Sequence, residues 1–318
     1  MTGYIIRRLM QAVIVFFLVL IGIFFAMRLL PGDPIMMVVS KQMASTATEA
    51  DIEKLRHEYG LDKPLLVQFF NWLGGVFRGN FGVSITNGRD VLSDIMRRLP
   101  VTLHLGLLAM VISFFFGIIL GTISAVRRGT WIDTVVTSLA NIGITIPVFW
   151  LGIVLMYIFA LKLGWLPVFG YTSPFTNFLE NTRQIIMPVF CLSVTSVAVI
   201  ARQARSSMLE VLHQDYIRTA WSKGLLERAV VMRHALKNGL IPVIVLAGLG
   251  LSGIIGGSVL IETVFNIPGM GRLAVTAMLN QDYPVVQGVV LFFAAMVLLT
   301  NLVVDLAYGW LDPRIKYQ

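Results

Sequence analysis

The sequence predicts an all-α integral membrane protein with six transmembrane helices. Of its 318 residues, 57% are hydrophobic and only 13% are charged, whereas an average soluble domain carries about 25% charged residues. Six apolar stretches each approach or exceed the roughly 20 residues that a helix needs to cross a bilayer. This composition excludes a disordered chain, a disulfide scaffold and an ordinary soluble enzyme.

The six apolar stretches are distributed along most of the chain. Because backbone polar groups inside lipid must be satisfied within their own segment, we expect each stretch to be helical. Pro147 and Pro188 lie within the third and fourth stretches and are expected to kink them. The first stretch follows two arginines and precedes no cleavage site, so we interpret it as a retained span rather than a signal peptide. The stretches are Leu9–Leu30, Leu99–Val126, Thr134–Leu161, Ile185–Arg202, Leu240–Ile261 and Val285–Trp310.

The distribution of charge predicts the orientation in the membrane. An even number of spans places both termini on one side. That side then holds 13 of the 25 Lys and Arg residues but only 5 of the 17 Asp and Glu residues. Basic residues accumulate in cytoplasmic loops, so both termini are predicted to be cytoplasmic. The net charge of +8 therefore indicates orientation and is no sign of a nucleic-acid partner.

Four regions follow from these assignments. Residues 1–30 contain the first span, residues 31–98 form an extracytoplasmic segment, residues 99–310 form a five-helix core with a cytoplasmic loop at 203–237, and residues 311–318 form a cytoplasmic tail. In the extracytoplasmic segment, a capping box at Thr48–Asp51 and a proline at Pro64 each predict the start of an amphipathic helix. These helices either rest on the membrane or the spans, or help to dock an external partner.

The residues needed for several kinds of chemistry are missing. No Gly-Lys dipeptide occurs, so the chain has no phosphate-binding Walker A loop. The single cysteine, Cys191, cannot form an internal disulfide, and the four histidines lack the spacing of a metal site. Glu262 and Asp305 lie near the ends of spans, whereas ion-driven carriers keep ionisable groups near the midplane. The sequence therefore predicts no metal, no cofactor and no energy source within this chain.

The cytoplasmic loop before the fifth stretch carries a specific motif. Residues Asp215–Gly224 resemble the "EAA" loop of bacterial ABC-transporter permeases, in which Glu-Ala-Ala is followed by three residues and a glycine. Arg218-Thr219-Ala220 stands where that pattern has Glu-Ala-Ala, and Gly224 follows at the same spacing. The family's proline after His234 is absent, and Ile241-Pro242 comes a turn later, which is typical of the dipeptide/oligopeptide/nickel branch.

Further motifs of that branch cover nearly the whole chain, which resembles the "B" permease of dipeptide-type importers. They are Ile6–Leu9, Leu30-Pro31-Gly32-Asp33-Pro34, Tyr59–Leu65, Arg98-Leu99-Pro100 with Thr102-Leu103, Arg205–Met208, Glu262–Phe265, Pro268–Arg272, Asp282-Tyr283-Pro284 and Asp312-Pro313-Arg314.

The resemblance implies a fold and a set of partners. The fold would be that of a type I ABC importer permease in the bacterial plasma (inner) membrane. The chain would pair with a second, homologous permease, bind two ATPase subunits that carry ATP and Mg, and receive substrate from an extracytoplasmic solute-binding protein. The residues that would couple it to the ATPase are Asp215, Arg218, Thr219, Ala220, Lys223, Gly224 and His234.

Polar residues inside the apolar stretches are candidates for the translocation path. Each could instead bond a neighbouring helix. They are Ser113, Asn141, Thr145, Ser193, Thr195, Ser196, Ser252 and Ser258. Asp33, Glu262 and Arg272 are candidates for contact with the binding protein or for a gate, although Asp33 could simply cap a helix and Glu262 could anchor the chain at the membrane interface.

The resemblance implies the transport of dipeptides or short oligopeptides. Nickel chelates, glutathione and opine-like compounds remain alternative substrates. Two other classes compete: a self-sufficient carrier or channel, and a membrane anchor that only holds a complex together.

Overall fold

A computed structural model describes residues 2–29, 49–58 and 60–311, and this part of the chain is helical without a β-strand. A π-helical turn, Met156–Lys162, follows the helix Val148–Leu155, and another, Val230–Ala235, joins the short helices Glu227–Ala229 and Leu236–Gly239. The helices are α1 Thr2–Leu29, α2 Glu49–Glu58, α3 Leu65–Phe77, α4 Val91–Val126, α5 Trp131–Thr145, α6 Val148–Leu155, α7 Phe178–Leu212, α8 Asp215–Ser222, α9 Glu227–Ala229, α10 Leu236–Gly239, α11 Ile241–Val264, α12 Met270–Leu279 and α13 Tyr283–Leu311.

Four helices in the described part of the chain are long and apolar enough to cross a membrane: α1, α4, α7 and α13. They correspond to the first, second, fourth and sixth predicted stretches. Helix α4 begins earlier than predicted, and α7 extends beyond its predicted stretch at both ends, so part of the predicted cytoplasmic loop belongs to this long helix. The fifth predicted stretch lies in α11, a helix of 24 residues.

The third predicted stretch is not a single helix. It is divided into α5 and α6, whose axes differ in direction by 102°. Pro147 lies at the break and lacks the N–H that a continuous helix requires. Ile146 before it has φ −69° and ψ 127°, the extended conformation that a following proline favours. At Pro147 the expected kink is a sharp bend that divides the stretch into two helices. At Pro188 the helix α7 continues through the proline.

One compact unit comprises Thr102–Ile267 with both chain ends, and within it α7 packs against α5 and α11. Gly117 and Gly121 of α4 face Ile200 and Ala201 of α7 so closely that a Cβ at either position would clash. Small residues four apart on α4 thus allow the two helices to approach closely. Gly253 of α11 has no such contact, because a Cβ there would meet nothing within 4 Å.

The other compact unit comprises Arg7–Val101 and Pro268–Leu298. Its core joins residues of α1, α4, α12 and α13, including Met27, Val91, Met270 and Val286. The aromatic ring of Phe69 on α3 packs edge-on against Phe24 of α1, with centroids 5.2 Å apart. Other apolar side chains of α3 are exposed, as expected of a helix that rests on a membrane surface.

Candidate coupling segment and translocation path

Helix α8 is held to the protein by one face. Ile217 and Ala220, three residues apart, are 0% and 6% exposed. They pack in a cluster with Met208 of α7 and with Val230 and Ala235 of the π-helical turn. Burial of two side chains on one side of so short a helix fixes its orientation, and the opposite side remains open.

The open side of α8 and the turn after it combine apolar and basic side chains. Tyr216, Trp221, Leu225 and Leu226 are exposed, and Leu226 retains 80% of its accessible surface. The Tyr216 hydroxyl accepts a hydrogen bond of 2.9 Å from the Asn238 amide, which holds the ring in place. The cations are Arg218, Lys223 and Arg228, all exposed. Exposed aromatic residues among cations are typical of a protein-binding surface. We call this set of seven residues the coupling surface.

Gly224 ends α8 in the left-handed conformation. Its φ is +75°, and its N–H donates to the Trp221 carbonyl at 2.9 Å. A glycine at this point of the motif predicts a left-handed turn where the helix ends, and the structure has that turn. A Cβ added here would meet nothing within 4 Å, so the requirement for glycine within this chain is conformational and not steric.

The remaining predicted coupling residues take different positions. Asp215 and Thr219 are exposed, and Asp215 lies 3.6 Å from Arg218 in an ion pair too exposed to add much stability. His234 is half-buried in the π-helical turn. Ala220 faces the protein's own core. Ala220 therefore does not face outward to a partner, and its small side chain permits close packing of α8 on the protein.

An ion pair beside the coupling segment was not anticipated from the sequence. Asp133, at the start of α5, is held by Arg205 of α7 through two hydrogen bonds of 2.7 and 2.9 Å. Its Oδ1 also accepts from the Ser124 hydroxyl at 2.5 Å, and its Oδ2 from the Gly129 N–H at 3.1 Å. The bidentate geometry is the strong form of an Arg–carboxylate pair. It connects α4, α5 and α7 near the end of α7 that leads to α8.

Three of the path candidates line one cavity of about 270 Å³ in the first unit. Ser113, Thr195 and Ser196 lie along it, opposite Gly250 and Gly253 of α11. Two of these hydroxyls also bond the backbone: Ser113 donates to the Ala109 and Ser193 carbonyls, and Thr195 donates to the Gly143 carbonyl. The lining of the cavity is thus mainly apolar with a few hydroxyl groups, and none of the described residues in it is charged.

The other path candidates lie elsewhere. Asn141 and Thr145 are exposed on α5, where the Thr145 hydroxyl donates to the Asn141 carbonyl. Ser193 is buried and donates to the Phe190 carbonyl. Ser252 donates to Asn301 at 3.3 Å, which joins α11 to α13, and Ser258 is fully buried. For Ser252 the interhelical bond, given in the sequence analysis as the alternative, is present.

The three candidates for contact with the binding protein or for a gate lie in different parts of the chain. Glu262 is 0% exposed and accepts a 2.6 Å hydrogen bond from the Thr102 hydroxyl. It therefore lies in the interior of the first unit and is not exposed at the surface of the described chain. Arg272 is half-buried on α12 in the second unit. Asp33 lies outside the described residues.

Comparisons with known proteins decide the family. The family described as the binding-protein-dependent transport system inner membrane component matches residues 117–317, and the model of the corresponding N-terminal region matches residues 1–106. The chain belongs to this permease family. The resemblance stated from the coupling motif is thereby confirmed, and the permease is a multi-pass protein of the inner membrane.

Relatives of the permease span its full length. It is 44% identical to the probable peptide ABC transporter permease protein y4tP of Sinorhizobium fredii, with 99% of each chain covered. It is 39% identical to the glutathione transport system permease protein GsiC of Pectobacterium atrosepticum, with 100% of each chain covered. The solved MetNI methionine ABC transporter matches with a TM-score of 0.54 at 20% identity, covering 68% of the permease and 97% of that chain. The last match shows the importer permease fold alone.

Proposed function

We propose that the permease forms, with a second homologous permease, the membrane path of an ATP-driven importer for dipeptides or short oligopeptides. The observation that carries this proposal is the position of α8. The helix is held to its own protein through Ile217 and Ala220 and presents the coupling surface outward. A short packed helix moves as a rigid unit, so it can pass a displacement from an ATPase to the spans.

Energy would enter through two ATPase subunits bound below the membrane. They would hold ATP and Mg, since this chain has no phosphate-binding loop. The apolar members of the coupling surface would enter a groove on the ATPase, and Arg218, Lys223 and Arg228 would pair with acidic groups around it. The displacement would travel along α7, which carries Met208 beneath α8 and ends just before it.

The substrate path would run along the cavity that contains Ser113, Thr195 and Ser196. In this proposal α11 is the fifth of six spans, because its 24 residues at about 1.5 Å each reach across the hydrocarbon core. The glycines of α11 leave its backbone open toward the cavity, where a second permease would complete the wall. A lining without charge would pass a zwitterionic peptide without trapping it.

Peptide import is favoured over the alternatives by the relatives. A probable peptide permease is 44% identical over nearly the full chain. Because a glutathione permease is 39% identical, glutathione remains the alternative substrate. The transport of nickel chelates is supported only by the resemblance to the family branch. A self-sufficient carrier would transport without partner subunits, and a membrane anchor that only holds a complex together would leave the coupling surface without a function.

The test is reconstitution. The permease would be coexpressed with its candidate partner permease, ATPases and solute-binding protein, purified, and placed in liposomes. We expect uptake of a radiolabelled dipeptide that requires ATP and the binding protein, and no ATP binding or hydrolysis by the purified permease alone. Uptake that continues after removal of the ATPases would establish the self-sufficient carrier instead.

A further inference from the structure

A second cavity, of about 410 Å³, lies within the second unit. The end of α1, one side of α3 and the start of α13 contribute to its walls. We call it the interfacial cavity. It is separate from the candidate path, which belongs to the first unit. Its lining includes Arg28, Gln68, Trp72, Tyr283 and Gln287.

Arg28, in the last turn of α1, brings a positive charge to this cavity. Its Nε donates a hydrogen bond of 3.1 Å to Oε1 of Gln68, and its guanidinium carbon lies 4.6 Å from the centroid of the Phe24 ring. These contacts fix the guanidinium group in place. Its Nη1 is shielded from solvent and has no hydrogen-bond acceptor within the described part of the chain. None of the described residues that line the cavity is acidic, so the charge is not balanced there.

Gln287, in the second turn of α13, supplies another donor without an acceptor. Its side chain is only 2% exposed, and its Nε2 has no hydrogen-bond partner among the described residues. A buried N–H that has lost water and gained no acceptor is unfavourable. Because Arg28 and Gln287 both line the cavity, a group bound there contacts both side chains. Two donors, one of them charged, favour an acceptor with negative charge.

The position of Arg28 along α1 places the cavity at a membrane interface. Arg28 follows Arg8 by 20 residues. At 1.5 Å per residue the two lie about 30 Å apart along the helix, which is the thickness of the hydrocarbon core. In the orientation expected from the sequence, Arg28 is at the outer interface. Trp72 and Tyr283 line the cavity, and these two residue types are enriched at the level of the lipid headgroups.

Helix α3 brings the cavity beside lipid. Leu66 and Phe70 of this helix are 64% and 65% exposed, whereas Gln68, Asn71 and Trp72 line the cavity. A helix with apolar side chains on one side and polar ones on the other lies in the plane of the interface. Phospholipid phosphates are therefore the abundant anions at the depth of this cavity.

We propose that the interfacial cavity binds the phosphate of an anionic phospholipid from the outer leaflet. The phosphate oxygens would accept hydrogen bonds from Arg28 and Gln287, and the acyl chains would lie along exposed apolar side chains of α1 and α3. A volume of about 410 Å³ is within the range of small-molecule sites and accommodates a phosphoglycerol headgroup. Since the described lining contains no carboxylate to bind an ammonium group, an anionic headgroup fits better than a zwitterionic one. The site is independent of the substrate that the permease transports.

The experiment measures lipid binding and stability separately. The permease, purified with its copurifying subunits, would be delipidated in detergent and titrated with phosphatidylglycerol, phosphatidylcholine or inorganic phosphate. Native mass spectrometry would count the bound lipids, and the melting temperature would be measured with and without lipid. The variants are Arg28→Gln, Arg28→Lys and Gln287→Leu. Arg78→Gln is the matched control, because Arg78 is exposed at the end of α3 and does not line the cavity.

We expect Arg28→Gln to weaken the binding of phosphatidylglycerol about 10-fold and Gln287→Leu about 3-fold. Arg28→Lys should retain part of the affinity, and Arg78→Gln should remain within twofold of the wild type. Without phospholipid, Gln287→Leu should melt no lower than the wild type, because leucine removes an unpaired buried donor. Phosphatidylglycerol should then raise the melting temperature of the wild type more than that of Gln287→Leu.

Four results would overturn the inference. The first is unchanged binding of phosphatidylglycerol in an assembled double variant of Arg28→Gln and Gln287→Leu. The second is equal affinity for phosphatidylcholine, and the third is displacement of the lipid by an equal concentration of inorganic phosphate, which would indicate a site for a free anion. The fourth is an equal loss of melting temperature in Asp33→Asn and Arg28→Gln with lipid binding unchanged in both, since the acceptor would then be a carboxylate of this chain.

Discussion

Arg205 binds Asp133 through two donors on one edge of its guanidinium group: Nε donates to Oδ1 at 2.7 Å and Nη2 donates to Oδ2 at 2.9 Å. The side chain of Asp133 retains 9% of its accessible surface and that of Arg205 30%. The pair therefore stabilises the packing of α5 on α7 more than an exposed ion pair would.

Breaking this pair should destabilise the permease. Arg205→Gln leaves the Asp133 carboxylate with no cationic partner and with the Ser124 and Thr137 hydroxyls and the Gly129 N–H close by, and we expect a loss of about 3 kcal/mol in the free energy of unfolding. The measurement is thermal unfolding of the purified complex in detergent. Arg202→Gln is the control, because Arg202 is exposed on the same helix. Equal melting temperatures for the two variants would contradict this role.

Replacing Gly224 should separate conformational strain from contact with the ATPase. With φ +75°, a side chain here costs roughly 1–2 kcal/mol, and asparagine costs less than alanine or valine. Valine, being β-branched, is also more strained than alanine at this φ. Since the position is open within this chain, a loss of ATPase recovery by Gly224→Val that exceeds its loss of melting temperature, relative to Gly224→Ala, reports contact with a partner. We expect both variants to insert normally, and Gly224→Val to reduce copurified ATPase or uncouple hydrolysis from uptake.

The control for this series is Glu227→Ala, at an exposed position three residues later, which should have little effect. Uptake and ATPase recovery would be measured for all variants in one strain. Normal values for Gly224→Val would refute the coupling assignment while leaving the family membership intact.

Thiol labelling should establish the orientation. Thr176→Cys lies in the exposed segment before α7, and Ser222→Cys lies at the exposed end of α8. An impermeant maleimide applied to intact spheroplasts should label the first and not the second. The native Cys191 is buried and should stay unlabelled. Labelling of Ser222→Cys alone would reverse the proposed topology.

Replacing Glu262 should lower the stability of the permease rather than change a gate. Its carboxylate is fully buried and accepts from the Thr102 hydroxyl, so Glu262→Ala removes a buried acceptor at a cost of about 1–3 kcal/mol. Glu262→Gln keeps an oxygen that can accept the same bond and should lose less. The two would be compared by melting temperature and by the uptake rate per assembled complex. A gate would instead show a changed uptake rate at unchanged stability.

The bend between α5 and α6 shows where local patterns stop predicting the fold. Pro147 is visible in the sequence and marks a point of weakness, but an apolar stretch through a proline is compatible with a gentle kink or with a 102° turn. The choice depends on what packs against each half, and Gly152 of α6 lies against Phe265, far away in sequence. Hydropathy alone therefore gave one span where the structure has two helices.

The sequence by itself determined the membrane class, the positions of most helices, the family and the left-handed turn at Gly224. These depend on composition, on apolar runs and on short motifs, all of which are local. Only the tertiary structure decided that Ala220 faces inward, that Asp133 meets Arg205 across 72 residues, and that Arg28 and Gln287 line one cavity. Such contacts join helices distant in the chain, and their geometry is set by how the helices pack rather than by any neighbouring residue.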